Sequence, residues 1–390
     1  MNGPGFQLAL ATIAMALCFA AWGAIAPIMP LLRGELALTE TQAALLVATP
    51  VLLGSIMRIP LGVATDRFGG RRVFTALIAF LLLPVALMGL SGSYAALLGS
   101  SLLLGLAGAS FAVGMPYVSR WYPPEKQGLA LGLYGLGNAG TAVAGFLAPA
   151  IAGAYGWQTV FWLCLPLLAI MAVAFAMLGR DAPGPPPVSG GVIARFAALL
   201  AQPSAWLLML FYFVSFGAFV AIGLYLPTYM VARYDLSPSD AGMRAAGFIV
   251  LATFSRPLGG ALSDRFGATR VLNAVFLAVA GLAILLAFDP GLVLVTVGFL
   301  GIAFAVGLGN GAVFKLVPAL FPGQTGAITG LVGAAGGLGG FFPPLLLGTI
   351  KQGTGSYAIA FMLLSEFALV CLILNLLVME RRAQRLMAPE

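Results

Sequence analysis

The sequence predicts an all-α membrane protein with twelve transmembrane helices in two six-helix bundles. Three observations lead there. The 390 residues are 61% hydrophobic and 8% charged, with mean hydropathy +1.05, whereas soluble domains carry about 25% charged residues. The apolar residues fall into twelve runs, each near the ~20 residues that cross a bilayer as a helix. The chain also repeats itself at half its length.

The repeat is read directly. Arg58-Ile-Pro-Leu-Gly62-Val-Ala-Thr-Asp66-Arg67-Phe-Gly69 returns as Arg256-Pro-Leu-Gly-Gly260-Ala-Leu-Ser-Asp264-Arg265-Phe-Gly267. Arg58 to Arg256 and Asp66 to Asp264 both span 198 residues. A second element repeats at the same interval. Gly132-Leu-Tyr-Gly135-Leu-Gly137-Asn138-Ala-Gly140 is matched by the glycine-rich run from Gly330 to Gly340, which holds Gly333, Gly336 and Gly337.

The runs place spans at 7–31, 41–64, 73–91, 95–120, 128–154 and 157–179, then at 204–231, 240–262, 270–288, 292–319, 326–350 and 357–379. Between the sixth and seventh lies a Pro/Gly-rich stretch, 180–191, that cannot continue a helix. The expected organisation is a bundle over 1–179, a cytoplasmic linker over 180–203 and a second bundle over 204–390. With both termini on one side, that side collects twelve of the 19 Lys and Arg, the other side four, and three fall inside spans. The richer side is expected to be cytoplasmic. The first apolar run lacks a basic leader and is long enough to span, so it reads as the first helix rather than a cleaved signal.

Composition also excludes. The chain has no histidine, and its three cysteines lie in separate apolar runs without a Cys-x-x-Cys pair, so neither a metal site nor a disulfide framework nor any cofactor is expected. An enzyme would need a Ser/His, paired-aspartate or metal constellation, and the aspartates sit in loops. The net charge of +7 is spread over loops as a topology signal and implies no nucleic-acid partner. The lipid bilayer is the expected surrounding, and a monomer the expected working unit.

Two parallel six-helix halves, with Gly62-x-x-x-Asp66-Arg67-Phe-Gly69 after the second span and its repeat after the eighth, resemble the major facilitator superfamily. Such folds bind substrate between the halves near the midplane and alternate access by rocking. Asp66, Arg67, Asp264 and Arg265 are read as conformational latches, because an aspartate can cap a neighbouring helix or pair with arginine.

Arg58 and Arg256 lie eight residues before the loop aspartates, which sets them about 12 Å inside the membrane layer at ~1.5 Å per residue. An intramembrane arginine costs on the order of 3 kcal/mol or more and marks a pathway, although a long stem can also snorkel to the interface. Two at equivalent depths point to an anion, which guanidinium grips in a bidentate fork.

Taken together, Arg58 and Arg256, the stretch 132–140 with Asn138, its counterpart 330–340, and Gly309-Asn310-Gly311-Ala-Val-Phe314 resemble the nitrate/nitrite porter family. The resemblance implies transport of nitrate, nitrite or both. It implies that Arg58 and Arg256 hold the anion, Phe111 and Phe314 sandwich it, Tyr212 assists, and Asn138 and Asn310 belong to the binding region. Gly132, Gly135, Gly137, Gly333, Gly336 and Gly337 then serve packing and gating beside it. A slot between ring faces suits a small planar anion and fits tetrahedral ones badly. Two couplings stay open. Anion antiport needs no titrating group, whereas proton symport does, and Glu366 and Lys315 are its candidates. Another small anion, an organic carboxylate or a phosphate ester, is the competing substrate class. A bacterial cytoplasmic membrane is the expected location.

Overall fold

Short-range signals fix where the helices begin and turn. The computed structural model describes residues 3–183, 197–354 and 356–379, without the side chains of 30, 40, 41, 44, 228, 238, 239 and 342–354. Thr39 accepts from the Gln42 amide while Gln42 returns a bond to the Thr39 amide, a capping box that starts the second span. Ser237 accepts from the Asp240 amide at the equivalent place in the second half. Gly69 and Gly267, at φ +86° and +90°, end the second and eighth spans in a conformation that disfavours a side chain.

The first half contains α1 (Pro4–Gly23), α2 (Ile25–Leu36), α3 (Glu40–Phe68), α4 (Gly70–Leu90), α5 (Tyr94–Leu104), α6 (Ser110–Ser119), α7 (Pro124–Tyr134), α8 (Ala139–Tyr155) and α9 (Trp157–Leu178). The second contains α10 (Pro203–Tyr234), α11 (Pro238–Phe266), α12 (Ala268–Ala287), α13 (Leu292–Leu320), α14 (Thr325–Thr354) and α15 (Ala358–Leu374), the last extended by a π-helical turn, Asn375–Met379. Among the described residues there is no strand. Eleven segments are long and apolar enough to cross a membrane, and the 30-residue α14 lies at the remaining predicted position. The chain is an integral membrane protein with the predicted all-α architecture.

Several helices overrun the predicted spans. α3 and α11 each have 29 residues, about 44 Å, so their ends project beyond a hydrocarbon core of ~30 Å. Three first-half spans are broken where the sequence predicts single helices. The first is interrupted for one residue at Ala24, between α1 and α2. The fourth tightens into a 3₁₀ segment, Gly105–Ala109, and the fifth into Gly135–Asn138. Tight 3₁₀ turns inside a helix often accompany functional sites. The counterpart of the last break is continuous helix in α14, so the halves are less alike than their repeat implies.

Two compact units emerge. Unit 1 takes Met1–Pro123, Leu133–Val192 and Phe321–Ala334; unit 2 takes Pro124–Gly132, Ile193–Leu320 and Ala335–Glu390. The starts of α7 and α14 are therefore exchanged between the sequence halves. Glycine permits this. In unit 1 a Cβ on Gly330 would lie 2.9 Å from Ile59 Cα and 3.0 Å from the Arg58 carbonyl carbon. In unit 2 a Cβ on Gly132 would lie 2.7 Å from the Arg256 carbonyl oxygen. The two pairs are related by the 198-residue repeat. Each glycine of the repeated motif lets a helix start lie directly against the backbone that carries an arginine. The linker expectation rests largely on 184–196, outside the described residues, as are the basic residues beyond Met379.

Candidate functional site

Among the described residues, each unit buries one arginine. In unit 1, Arg58 is 4% exposed. Its Nε donates to the Gly108 carbonyl at 3.1 Å and its Nη1 to the Gly333 carbonyl at 2.5 Å. Gly108 belongs to the 3₁₀ segment of the fourth span, whose tightened turn presents that carbonyl to the arginine. The guanidinium carbon also lies 5.8 Å from the Phe111 ring centre. Phe111 stacks on Tyr134 at 6.3 Å, and the Tyr134 hydroxyl donates to the Ser110 carbonyl at 2.8 Å.

In unit 2, Arg256 is 2% exposed. Its guanidinium carbon lies 5.3 Å from the Phe216 ring centre and 5.5 Å from that of Phe219. Tyr212 stacks on Phe216 at 4.9 Å and meets Phe314 edge-on at 4.8 Å, and its phenol is the polar neighbour of the guanidinium. Nε and Nη2 of Arg256 make no hydrogen bond of normal geometry to described residues. These two atoms form the side edge of the guanidinium, the fork that grips a planar oxyanion with two parallel bonds. The Nδ2 of Asn310, 2% exposed, is likewise unpartnered among the described residues, while its Oδ1 accepts from the Ser215 hydroxyl at 2.9 Å. Arg256 and Asn310 together bury three nitrogen donors that have no acceptor of normal geometry among the described residues, and burying such groups is costly unless something accepts from them.

The two arginines are unequal for a local reason. Asn138 donates through Nδ2 to the Gly135 carbonyl at 2.8 Å, and so braces the 3₁₀ segment that contains it. At the repeat position of Asn138 stands Gly336, which has no side chain to occupy the Gly333 carbonyl, and Arg58 takes that carbonyl instead. Asn138 therefore appears as a backbone brace rather than an open contact. A Cβ on Gly333 would lie 3.0 Å from Arg58 Cδ, one on Gly336 would lie 2.6 Å from Tyr212 Cε1, and one on Gly137 would lie 2.8 Å from Met15 Cγ. Gly135 and Gly337 are buried.

The loop aspartates cap the exchanged helix starts. In unit 1, Asp66 accepts from the amides of Gly326 at 3.0 Å and Ala327 at 2.9 Å, and from Arg120 at 3.1 Å. In unit 2, Asp264 accepts from the amides of Gly128 at 3.0 Å and Leu129 at 2.8 Å, and pairs with Lys315 at 2.5 Å. Lys315 also donates to the Pro124 carbonyl. A carboxylate at a helix N-terminus meets unpaired amides and the positive end of the helix dipole. Arg67 and Arg265 instead lie 5.1 Å over the rings of their own neighbours, Phe68 and Phe266. The cationic partners of the aspartates are thus Arg120 and Lys315. Glu366 is exposed on the outer face of α15, and Lys315 is committed to the Asp264 cluster. Neither joins the group of Arg256, Tyr212 and Phe314.

Sequence reasoning missed Phe216, Phe219 and Tyr134. Tyr134 stood inside the quoted glycine motif, and Phe216 lies one helical turn after Tyr212, so spacing along the helices offered a signal for both. A separate cavity of about 70 Å³ in unit 2 is lined by Tyr229, Arg233, Asp289, Tyr357 and Phe361. There Arg233 donates to both Asp289 oxygens, and the paired carboxylate raises the Arg233 pKa, so the cation is already matched.

The Major Facilitator Superfamily model matches residues 11–344 and, separately, 230–387. The "Nitrite extrusion protein" of Bacillus subtilis (strain 168) is 42% identical over 374 residues, covering 96% of this chain and 94% of that protein. The "Probable nitrate transporter NarT" of Staphylococcus haemolyticus (strain JCSC1435) is 42% identical over 369 residues, 95% of each chain. Among solved structures, the human organic anion transporter MFSD10 (TETRAN) superposes with a TM-score of 0.80 at 17% identity, covering 96% of this chain and 100% of that one. The E. coli fucose:proton symporter FucP superposes at 0.78 with 17% identity, covering 95% and 98%. These structural likenesses show the fold. The family match and the two sequence relatives together show that the chain belongs to the major facilitator superfamily.

Proposed function

We propose that this transporter carries nitrate and nitrite by alternating access, with Arg256 as the principal anion ligand. The observation that carries the reading is the open Nε/Nη2 edge of a fully enclosed guanidinium between aromatic rings. An ionic fork facing ring surfaces favours a flat, weakly hydrated monoanion. The names of the 42%-identical relatives support the same substrates.

Arg58 serves as the counterpart in unit 1, oriented by two carbonyls and flanked by Phe111. Phe314 and Tyr212 shape the site around Arg256, and Asn310 adds a donor. Asp66 and Asp264 act as latches that hold the starts of α14 and α7. The titratable candidates are placed away from the Arg256 group, Glu366 outward and Lys315 in an ion pair, and this favours anion exchange over proton symport. The bias of Lys and Arg to one side supports cytoplasmic termini, and the bacterial relatives support a bacterial inner membrane.

Uptake of labelled nitrate into proteoliposomes, with nitrite, formate and phosphate as competitors, tests the substrate class. Nitrite should compete strongly and phosphate weakly. Absence of both nitrate and nitrite flux refutes the reading. Flux that requires internal nitrite and ignores an imposed pH gradient identifies exchange; flux driven by the gradient alone identifies symport.

A further inference from the structure

Glu366 stands out among the charged residues of the described spans. The segment Ala358–Met379 has 22 residues and mean hydropathy 2.4. Glu366 lies eight residues after its start, about 12 Å along the helix axis, and its side chain is exposed on the outside of the fold. Arg58 and Arg256 also lie within spans, but both are buried. A glutamate stem is too short to reach an interface about 12 Å away, and a carboxyl facing hydrocarbon costs several kcal/mol unless it finds a partner. Among the described residues Glu366 has no hydrogen bond or ion pair.

Its surroundings are a broad apolar outer face, on which Met362, Phe367, Leu369, Leu376 and Leu377 are exposed. Ile359, Leu363, Val370 and Ile373 are exposed as well, at 46%, 36%, 41% and 52%. With Glu366 they are spaced 4, 3, 4 and 3 residues apart along α15, the period of a two-helix interface. A single polar residue in such a seam commonly fixes register and partner number at some cost in stability. The chemistry of the carboxyl selects the partner. In protonated form it carries one donor and one acceptor, so two such groups meeting across a twofold axis satisfy each other completely. Two copies inserted in the same orientation, related by an axis along the membrane normal, bring each seam residue opposite its own mate.

We infer that α15 is a homodimer interface, in which Glu366 of one copy hydrogen-bonds Glu366 of a second copy within the bilayer. This goes beyond the transport reading and does not depend on it. It also departs from the monomer expected from sequence, although each copy keeps its own arginines.

Single-molecule photobleaching of labelled full-length protein, over a series of protein-to-lipid ratios, reads the dimer directly. Wild type should show two bleaching steps at the higher densities. Glu366→Gln keeps a donor and an acceptor and should retain most of the dimer. Glu366→Leu, which suits lipid as well as it suits the seam, should raise the dissociation constant about tenfold, in line with an interhelical hydrogen bond in a membrane. With the three native cysteines replaced by alanine, Val370→Cys should form a disulfide-linked dimer on mild oxidation, and Leu277→Cys, exposed on α12, should not. A wild-type protein that stays monomeric across the series overturns the proposal and directs Glu366 to an intramembrane cation of another protein. An unchanged dimer in Glu366→Leu also overturns it.

Discussion

Lys315 Nζ lies 2.5 Å from Asp264 Oδ1, and the residue before it, Phe314, packs edge-on against Tyr212. Two adjacent residues of α13 thus serve two groups, one beside Arg256 and one at the helix cap. α11 repeats the arrangement over two turns, with Arg256 in the aromatic group and Asp264 at the cap. Under the proposed role of Arg256, a bound anion that displaced either helix would act on the Asp264 cluster directly.

Lys315→Met should therefore slow transport more than it weakens binding. Asp264 keeps its two amide donors, so the cap survives, but its ion pair and the bond to the Pro124 carbonyl are lost. Both side chains retain some exposure, 16% and 12%, so the loss lies between that of a surface pair and that of a buried pair, about 1–2 kcal/mol. The maximal rate should fall about tenfold while the apparent KM for nitrate stays within about twofold, and Lys315→Arg should recover most of the rate. Initial-rate uptake over a range of nitrate concentrations separates the two parameters.

The two arginines should respond differently to lysine. Arg256→Lys removes the open fork while leaving the charge, so the apparent affinity for nitrate should fall by tenfold or more and the fold should be little affected. Arg58→Lys also breaks the ties to Gly108 and Gly333. Each charged hydrogen bond contributes about 1.5–3 kcal/mol, so this variant should lose transport and also melt several degrees lower. Flux and thermal unfolding of both variants, measured side by side in the same detergent, check the contrast. Equal melting temperatures would show that the Gly108 and Gly333 bonds contribute little.

That difference was not legible in the sequence. The 198-residue interval identified both arginines, both aspartates and both glycine motifs, because a duplicated chain repeats its backbone constraints. It also implied equal roles. Inequality arises from single side chains: Asn138 occupies the Gly135 carbonyl, and Gly336 leaves the Gly333 carbonyl open. Rings were harder still. With 27 phenylalanines, only its spacing from Tyr212 singles out Phe216, and nothing local distinguishes Phe219 from a packing residue until helix rotation brings it under Arg256. The exchange of helix starts between units was likewise invisible, since apolar periodicity reports where a helix lies along the chain and not which neighbours it packs against.

Phe216 and Phe219 should set how well Arg256 is presented. Phe216→Leu keeps the apolar volume nearly constant but removes the ring face below the guanidinium. A desolvated cation–π contact contributes up to about 2 kcal/mol, so nitrate affinity should drop between about fivefold and thirtyfold. Phe216→Tyr keeps the ring face and should stay near wild type. A parallel loss of affinity in Phe219→Leu would assign the platform to both rings, and competition uptake assays measure each variant.

The glycine motifs yield a comparison with an internal control. Gly336→Ala drives a methyl group into the Tyr212 ring, which is held by stacking on Phe216 and by edge contact with Phe314, so the ring cannot swing aside freely. Overpacking of this kind costs about 1–3 kcal/mol and displaces the phenol from Arg256, so nitrate uptake should be nearly abolished. Gly333→Ala is milder, because its methyl group meets the flexible Arg58 stem at 3.0 Å, and it should reduce affinity without ending transport. Gly145 lies in α8 with nothing within 4 Å of a would-be Cβ. Gly145→Ala should leave uptake unchanged and stabilise the helix by about 0.5–1 kcal/mol. Uptake and melting temperature for the three variants give an order, with Gly336→Ala lowest in uptake and Gly145→Ala highest in both. If Gly336→Ala transported like Gly145→Ala, Tyr212 would have no part in holding the anion.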